Sequence, residues 1–172
     1  SVLAQDPRVV VLHEVTSNLH NDNFIAHIDR VILPIEKHKN SQEIFQSFAP
    51  DLLITIGGMV VSKKIKSLLR SYKGVSHYHI GTDRPLDTYY LGVQHLQVDP
   101  NTFFSNLASS SDPKANYQDQ WIQLSRQREI AHKNFLANVP FSDLLIFDKI
   151  MRAIPKNYLL QTAKKLLHLL SI

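Results

Sequence analysis

Cysteine is absent from the 172 residues of this chain. Its absence excludes disulfides, a thiolate nucleophile and any metal site built on cysteine, and it fits a reducing cytoplasm. Long hydrophobic runs are also lacking, so no segment reaches a membrane-spanning length. The start of the chain has no basic segment followed by a long apolar run and a small-residue cleavage site. We therefore expect a cytoplasmic protein with no membrane partner.

A strong excess of one charge is lacking as well. Lys and Arg number 19 against 15 Asp and Glu, which gives a net charge of +4. The basic residues are dispersed, apart from one cluster at Lys63, Lys64 and Lys66 and another at Lys164 and Lys165. Nucleic-acid surfaces normally need a concentrated basic stripe with base-reading partners. We expect no nucleic-acid partner.

Several catalytic and nucleotide-binding motifs are missing. The sequence has no GxxxxGK[ST] phosphate loop and no GxGxxG dinucleotide fingerprint. It also has neither the HExxH pattern of zinc proteases nor the GxSxG nucleophile elbow of α/β-hydrolases. The most common signatures of nucleotide binding and hydrolysis are therefore excluded.

Short apolar runs separated by helical patterns dominate what is present. The runs predict five buried strands, at Val9–Leu12, Val31–Leu33, Leu52–Ile56, His77–Ile80 and Leu96–Val98. Between them, Ser41–Phe48 and Ser62–Arg70 carry apolar residues at helical spacing. This alternation predicts an α/β fold with a Rossmann-like parallel sheet and helices on both faces.

The C-terminal third predicts a helical extension. Residues 116–139 form a long polar helix with few apolar positions, which is typical of a helix that crosses a surface or links domains. After Pro140, Ser142 is a suitable N-cap for an amphipathic helix that runs to Ile154. Residues 158–160 then predict a strand and 162–172 a short leucine-rich helix.

The clearest candidate site is the junction of the third strand and the following helix. Gly57 and Gly58 follow the strand, Ser62 can cap the helix, and Lys63 lies in its first turn. A helix start favours anions and disfavours cations, so a lysine there suggests an anion bound between lysine and helix. The alternative is a simple tight turn with a solvated lysine.

Two further sets of polar residues are weaker candidates. His77 and His79 lie on one face of a strand, but no third ligand has a recognisable spacing, so we interpret them as structural or surface residues. His13-Glu14 and Ser17-Asn18 follow the first strand, at the edge where open α/β sheets bind ligands. Ser17 is therefore a candidate neighbour of the lysine site.

Three segments together resemble a known family. They are VVVLHEVTSNLH at 9–20, PDLLITIGGMVVSKKIKSLLR at 50–70 and SDLLIFDKIMRAIPKNYLL at 142–160. The resemblance is to the thiamine-diphosphate-dependent MenD synthases, which join a succinyl unit from 2-oxoglutarate to isochorismate in menaquinone biosynthesis. It covers nearly the whole chain up to about Leu160.

The resemblance implies a division of the chain and a role for one lysine. Residues 1–115 would be the central domain, with the DHS-like NAD/FAD-binding fold, and 116–139 a linking helix. Residues 140–172 would begin the C-terminal diphosphate-binding domain, with an atypical tail. Lys63 matches the central-domain lysine that helps to hold a substrate carboxylate, with Gly57, Gly58, Ser62 and Ser17 as candidate neighbours.

The same resemblance implies that the chain lacks the catalytic centre. The family binds thiamine diphosphate and Mg²⁺ or Mn²⁺ between an N-terminal and a C-terminal domain, and the metal-binding GDG motif is missing here. We therefore expect no catalytic, cofactor-binding or metal-binding residue in this chain and no activity from it alone. The parent enzyme would be a homo-oligomer, and the missing domains would be partners of this segment.

The sequence is also compatible with two other functions. The chain could be a free-standing Rossmann-like module that binds a nucleotide or an acidic metabolite at the carboxyl edge of its sheet. It could also have an architectural role, in which the long helix and the leucine-rich tail pack against other domains or subunits.

Overall fold

The computed structural model describes residues 2–107 and 115–155. Strands are β1 Val11–Leu12, β2 Phe24–Ile25, β3 Leu52–Ile56, β4 Ser76–Ile80 and β5 Gln94–Leu96. Helices are α1 Ile28–Glu36, α2 Ser41–Ser47, α3 Lys63–Ser71, α4 Pro100–Ser105, α5 Tyr117–Asn138 and α6 Asp143–Ala153. Short 3₁₀ turns occur at Val2–Gln5 and Val15–Ser17. The strand and helix predicted within 158–172 lie outside the described residues.

All strand pairs in the described part of the chain are parallel. β1 pairs with β2 in a two-stranded sheet, and the second sheet has the order β3-β4-β5. Parallel neighbours require crossover connections, and α3 supplies the one between β3 and β4. The predicted α/β class with parallel strands and helices on both sides is confirmed.

The main hydrophobic core lies where α1 and α3 pack together. Ile28 and Ile32 of α1 meet Ile65, Leu68 and Leu69 of α3, and all five are buried. A smaller cluster joins Ile25, Val31 and Trp121, so it connects β2 and α1 with α5. Apolar residues on two faces of α1 therefore link both clusters.

The strand predicted at Val31–Leu33 is wrong, because these residues belong to α1. The buried positions of this helix are Ile28, Val31, Ile32 and Ile35, which follow the 3.6-residue period. A run of three apolar residues cannot by itself distinguish a strand from a buried helix. Pro34 lies inside this helix near its C-terminal end, and the strand of this region is β2 instead.

Other boundaries differ by a few residues. β1 begins at Val11 rather than at the predicted Val9, and β5 occupies Gln94–Leu96 rather than 96–98. The sequence did not predict the helix α4. Asp99 caps this helix, because its carboxylate accepts a hydrogen bond from the N–H of Thr102 at 2.9 Å, and Pro100 lies in its first turn. Aspartate followed by proline is a standard helix-start signal.

The two C-terminal helices agree with the sequence. α5 spans Tyr117–Asn138 and buries Trp121 and Ile122. α6 is capped by Ser142, whose Oγ accepts a hydrogen bond from the N–H of Leu145 at 3.4 Å. The division of the chain into domains stays a prediction. No helix in residues 2–107 and 115–155 is long and apolar enough to cross a membrane.

One face of the three-stranded sheet is partly exposed to solvent along the edge strand β3, although Ile80 of β4 on the same face is buried. Leu52, Ile54 and Ile56 of β3 point to this face together with Leu96 of β5, and their exposed fractions lie between 38% and 50%. Parallel sheets usually have both faces covered. An apolar surface of this kind is typical of a packing face.

Candidate functional site

The turn between β3 and α3 has the backbone that its glycines predict. Gly57 adopts a φ of +73°, a left-handed conformation that glycine tolerates best. A Cβ atom added at either Gly57 or Gly58 would meet no heavy atom within 4 Å. The glycine at position 57 is therefore required by the backbone conformation, and the space next to both glycines is open.

Ser62 caps helix α3, as predicted. Its Oγ accepts a hydrogen bond from the N–H of Ile65 at 3.2 Å. The same hydroxyl donates to the carboxylate of Asp29, which lies in the first turn of α1. The cap therefore fixes the start of α3 and joins it to α1.

An acidic side chain occupies the start of α3. Glu14 accepts a hydrogen bond from the N–H of Val61 at 2.8 Å and another from the N–H of Ser62 at 2.6 Å. Negative charge at this position is stabilised by the free N–H groups and the helix dipole. The sequence predicted an anion at this helix start, and in this structure the anion is a residue of the chain itself.

Lys63 lies exposed in the first turn of α3. Within residues 2–107 and 115–155 it makes no ion pair and no hydrogen bond through its side chain. The neighbouring Lys64, in contrast, pairs with Glu36 of α1. Lys63 therefore presents a charge that is available to a ligand at the carboxyl edge of the sheet.

Ser17 is connected to this region through Glu14 rather than directly. Its Oγ donates to the backbone carbonyl of Glu14 at 2.7 Å and lies 3.3 Å from Nδ1 of His13. The carboxylate of Glu14 is bound to the backbone near α3, so serine, histidine and acid do not form a triad. Ser17 instead holds the loop that carries Glu14.

His77 and His79 lie on the same side of β4, as predicted, and both are buried, with 1% and 8% exposure. Oγ1 of Thr55 lies between them, 3.0 Å from Nε2 of His77 and 3.1 Å from Nδ1 of His79. The hydroxyl of Thr55 has one proton to donate, so at least one of the two rings must donate a hydrogen bond to Oγ1. Both rings are structural parts of the sheet.

Burial sets the protonation of this cluster. It lowers the pKa of His77, while the carboxylate of Asp87 opposes that shift and His79 adds to it. Burial also lowers the pKa of His79, and His95 contributes in the same direction. Since a low pKa favours the neutral imidazole, both rings are neutral near pH 7.

Other features of the described residues offer little for a ligand. No group of three His, Asp or Glu residues in this part of the chain is arranged to hold a metal ion. A cleft of about 250 Å³ lies between α1, α2 and α3, and the Lys64–Glu36 pair and Tyr72 contribute to its wall. Lys63 is not among the residues that line it.

Two residues at the candidate site had no role assigned from the sequence. The sequence places Glu14 in the loop after the first strand, and it places Asp29 next to the residues 31–33 that it wrongly predicts as a strand. The usable signal for Glu14 was an acidic residue directly after β1, at the same sheet edge as the glycines after β3. A contact between residues 14 and 62 could not be read from local sequence.

Comparison with known proteins identifies close relatives of this sequence. No protein-family model matches the chain. It is 41% identical over 159 residues to the 2-succinyl-5-enolpyruvyl-6-hydroxy-3-cyclohexene-1-carboxylate synthase of Flavobacterium johnsoniae and 42% identical over 159 residues to that of Christiangramia forsetii. Each alignment covers 92% of this chain and 28% of the relative.

The synthase of Flavobacterium psychrophilum is 39% identical over 154 residues, which cover 89% of this chain and 27% of that protein. The chain thus spans about a quarter of the length of the curated relatives it matches. The aligned region covers nearly all of the chain. The chain therefore belongs to the family of 2-succinyl-5-enolpyruvyl-6-hydroxy-3-cyclohexene-1-carboxylate synthases, the MenD family, of which it represents one segment.

Proposed function

We propose that this chain is the central segment of a cytoplasmic synthase that decarboxylates 2-oxoglutarate and adds the succinyl unit to isochorismate in menaquinone biosynthesis. The observation that carries the proposal is the identity of 39–42% to three synthases over about nine-tenths of the chain. The segment alone is expected to have no activity. The intact enzyme is expected to be a homo-oligomer.

Lys63 is the residue of this segment to which we assign a contact with substrate. Its exposed ammonium group lies at the start of α3 and has no partner in the described part of the chain. Both substrates carry carboxylates, and an ammonium group binds a carboxylate through a charge-assisted hydrogen bond. The role assigned to Lys63 is to hold one such carboxylate.

The cofactor is assigned to other parts of the intact enzyme. Thiamine diphosphate with Mg²⁺ or Mn²⁺ needs oxygen ligands for the metal. The GDG motif with which the family holds this metal is missing from the sequence. No step that involves the cofactor is therefore assigned to residues of this segment.

The test is Lys63→Ala in the intact synthase. The KM of one carboxylate substrate should rise by about tenfold or more, because a charged hydrogen bond is lost. The melting temperature should not fall, since a cation in the first turn of a helix is unfavourable. The matched control is Lys73→Ala, an exposed lysine beyond the opposite end of α3. An unchanged KM in Lys63→Ala would refute the assignment.

Exposed apolar side chains support a second, architectural function. Ile130 and Phe135 of α5 are 60% and 54% exposed, and Phe141, between α5 and α6, is 86% exposed. Such residues are typical of a surface that packs against another domain or subunit. Phe141→Ser should reduce self-association of the chain in size-exclusion chromatography if this surface mediates it. An unchanged elution volume at all concentrations would argue against that role.

A further inference from the structure

Glu14 joins two separate parts of the fold. It follows β1 of the two-stranded sheet, and its carboxylate accepts N–H groups from Val61 and Ser62 at 2.8 and 2.6 Å. These two residues follow β3 of the other sheet. The contact spans 47 and 48 positions of sequence and connects the carboxyl edges of both sheets.

The turn that Glu14 holds is anchored by one apolar side chain, Val60, and is otherwise exposed. Met59 and Val61 are each 58% exposed, and the space beside Gly57 and Gly58 is open. Ser62 has a second anchor in the carboxylate of Asp29. The path of the chain into the first turn of α3 is therefore fixed by the packing of Val60 on the main core and by two acidic side chains.

We propose that Glu14 is a positioning residue for Lys63, an inference that rests on the carboxylate-binding role proposed for that lysine. Its first effect is to fix the backbone immediately before Lys63. Its second effect is to occupy the N–H groups of Val61 and Ser62, which would otherwise attract an anion. A substrate carboxylate is thereby directed to the ammonium group of Lys63 and away from the helix start.

Glu14→Gln is the informative substitution. The carboxamide keeps the size of the side chain but has a single acceptor oxygen, and its NH₂ group cannot accept an N–H. Val61 and Ser62 donate to different oxygens of Glu14, so in the glutamine variant one of the two N–H groups faces the NH₂ group and loses its present partner. In the 172-residue chain, amide hydrogen exchange at Val61 or Ser62 should accelerate by about tenfold or more, while exchange within β4 is unchanged.

The functional measurement is a double-mutant cycle in the intact synthase. Glu14→Gln should raise the KM for the carboxylate substrate by about threefold or more when Lys63 is present. It should add nothing in the Lys63→Ala background, because its effect passes through Lys63. The control is Glu43→Gln, an exposed glutamate of α2, which should leave KM and amide exchange unchanged. If Glu14→Gln does not fold, Glu14→Asp keeps the charge, shortens the reach and is used instead.

The outcomes separate this inference from the proposed function. If Lys63→Ala raises KM but Glu14→Gln does not, the positioning role is overturned and the role of Lys63 stands. If Glu14→Gln raises KM equally with and without Lys63, Glu14 acts by another route and the inference is also overturned. If Lys63→Ala leaves KM unchanged, the proposed function itself fails and the inference fails with it.

Discussion

Removing the hydroxyl of Thr55 should destabilise the protein strongly, although valine has nearly the same volume as threonine. In Thr55→Val a methyl group replaces Oγ1, which lies 3.0 Å from Nε2 of His77 and 3.1 Å from Nδ1 of His79. Valine retains the β-branched shape that suits a strand. Leaving a buried polar group without a partner costs about 1–3 kcal/mol. Two ring nitrogens are affected, so the loss should be about 2 kcal/mol or more.

The assay is urea denaturation of the chain at pH 7.5, where the free energy of unfolding is extrapolated to water. The midpoint should fall while the slope stays constant, because the surface exposed on unfolding is nearly unchanged. Thr16→Val is the control, since Thr16 is exposed and its hydroxyl has no partner in the described part of the chain. It should change the unfolding free energy by no more than about 0.5 kcal/mol. A similarly small change in Thr55→Val would refute the role assigned to the hydroxyl.

Two further predictions concern the cores of the fold. Burial lowers the pKa of His77 and of His79 in the folded state. Below pH 6.5 the unfolded chain therefore binds more protons than the folded chain, and the free energy of unfolding should decrease as the pH falls. The decrease should be up to about 1.4 kcal/mol per pH unit for each ring. NMR titration of the ring protons checks this, and a midpoint above 6.5 for either ring would contradict it. Ile32→Ala should cost about 2–5 kcal/mol in chemical denaturation, because this side chain is 2% exposed between α1 and α3. Ile130→Ala, at 60% exposure, should cost no more than about 0.5 kcal/mol, and equal losses in both variants would contradict the packing described for α1.

The elements that sequence reasoning recovered best are those with a strong local signal. β3 has the predicted bounds Leu52–Ile56, because an apolar run followed by two glycines leaves few alternatives. Ser62 and Ser142 cap their helices as predicted, since N-caps depend on contacts within one turn. Local rules were sufficient where the interaction itself is local.

The failures occurred where neighbouring or distant residues decide the structure. Val31–Leu33 was assigned to a strand, but Ile28 and Ile35 extend the same apolar pattern into a helix that packs on α3. Glu14 was placed near the correct sheet edge, yet its partners lie 47 and 48 residues away. The sequence therefore predicts the candidate site at this sheet edge, whereas the group that occupies the start of α3 can be identified only from the structure.

The exposed face of β3 has a consequence for handling the isolated chain. In the described part of the chain this strand is at the edge of its sheet, so one side of its backbone has free N–H and C=O groups. Leu52–Ile56 contains no charge and no proline, and its exposed side chains are apolar. Unprotected edges of this composition pair with one another between molecules. Concentrated solutions of the separated segment should therefore aggregate through this strand, and the substitution Ile54→Lys should reduce this aggregation.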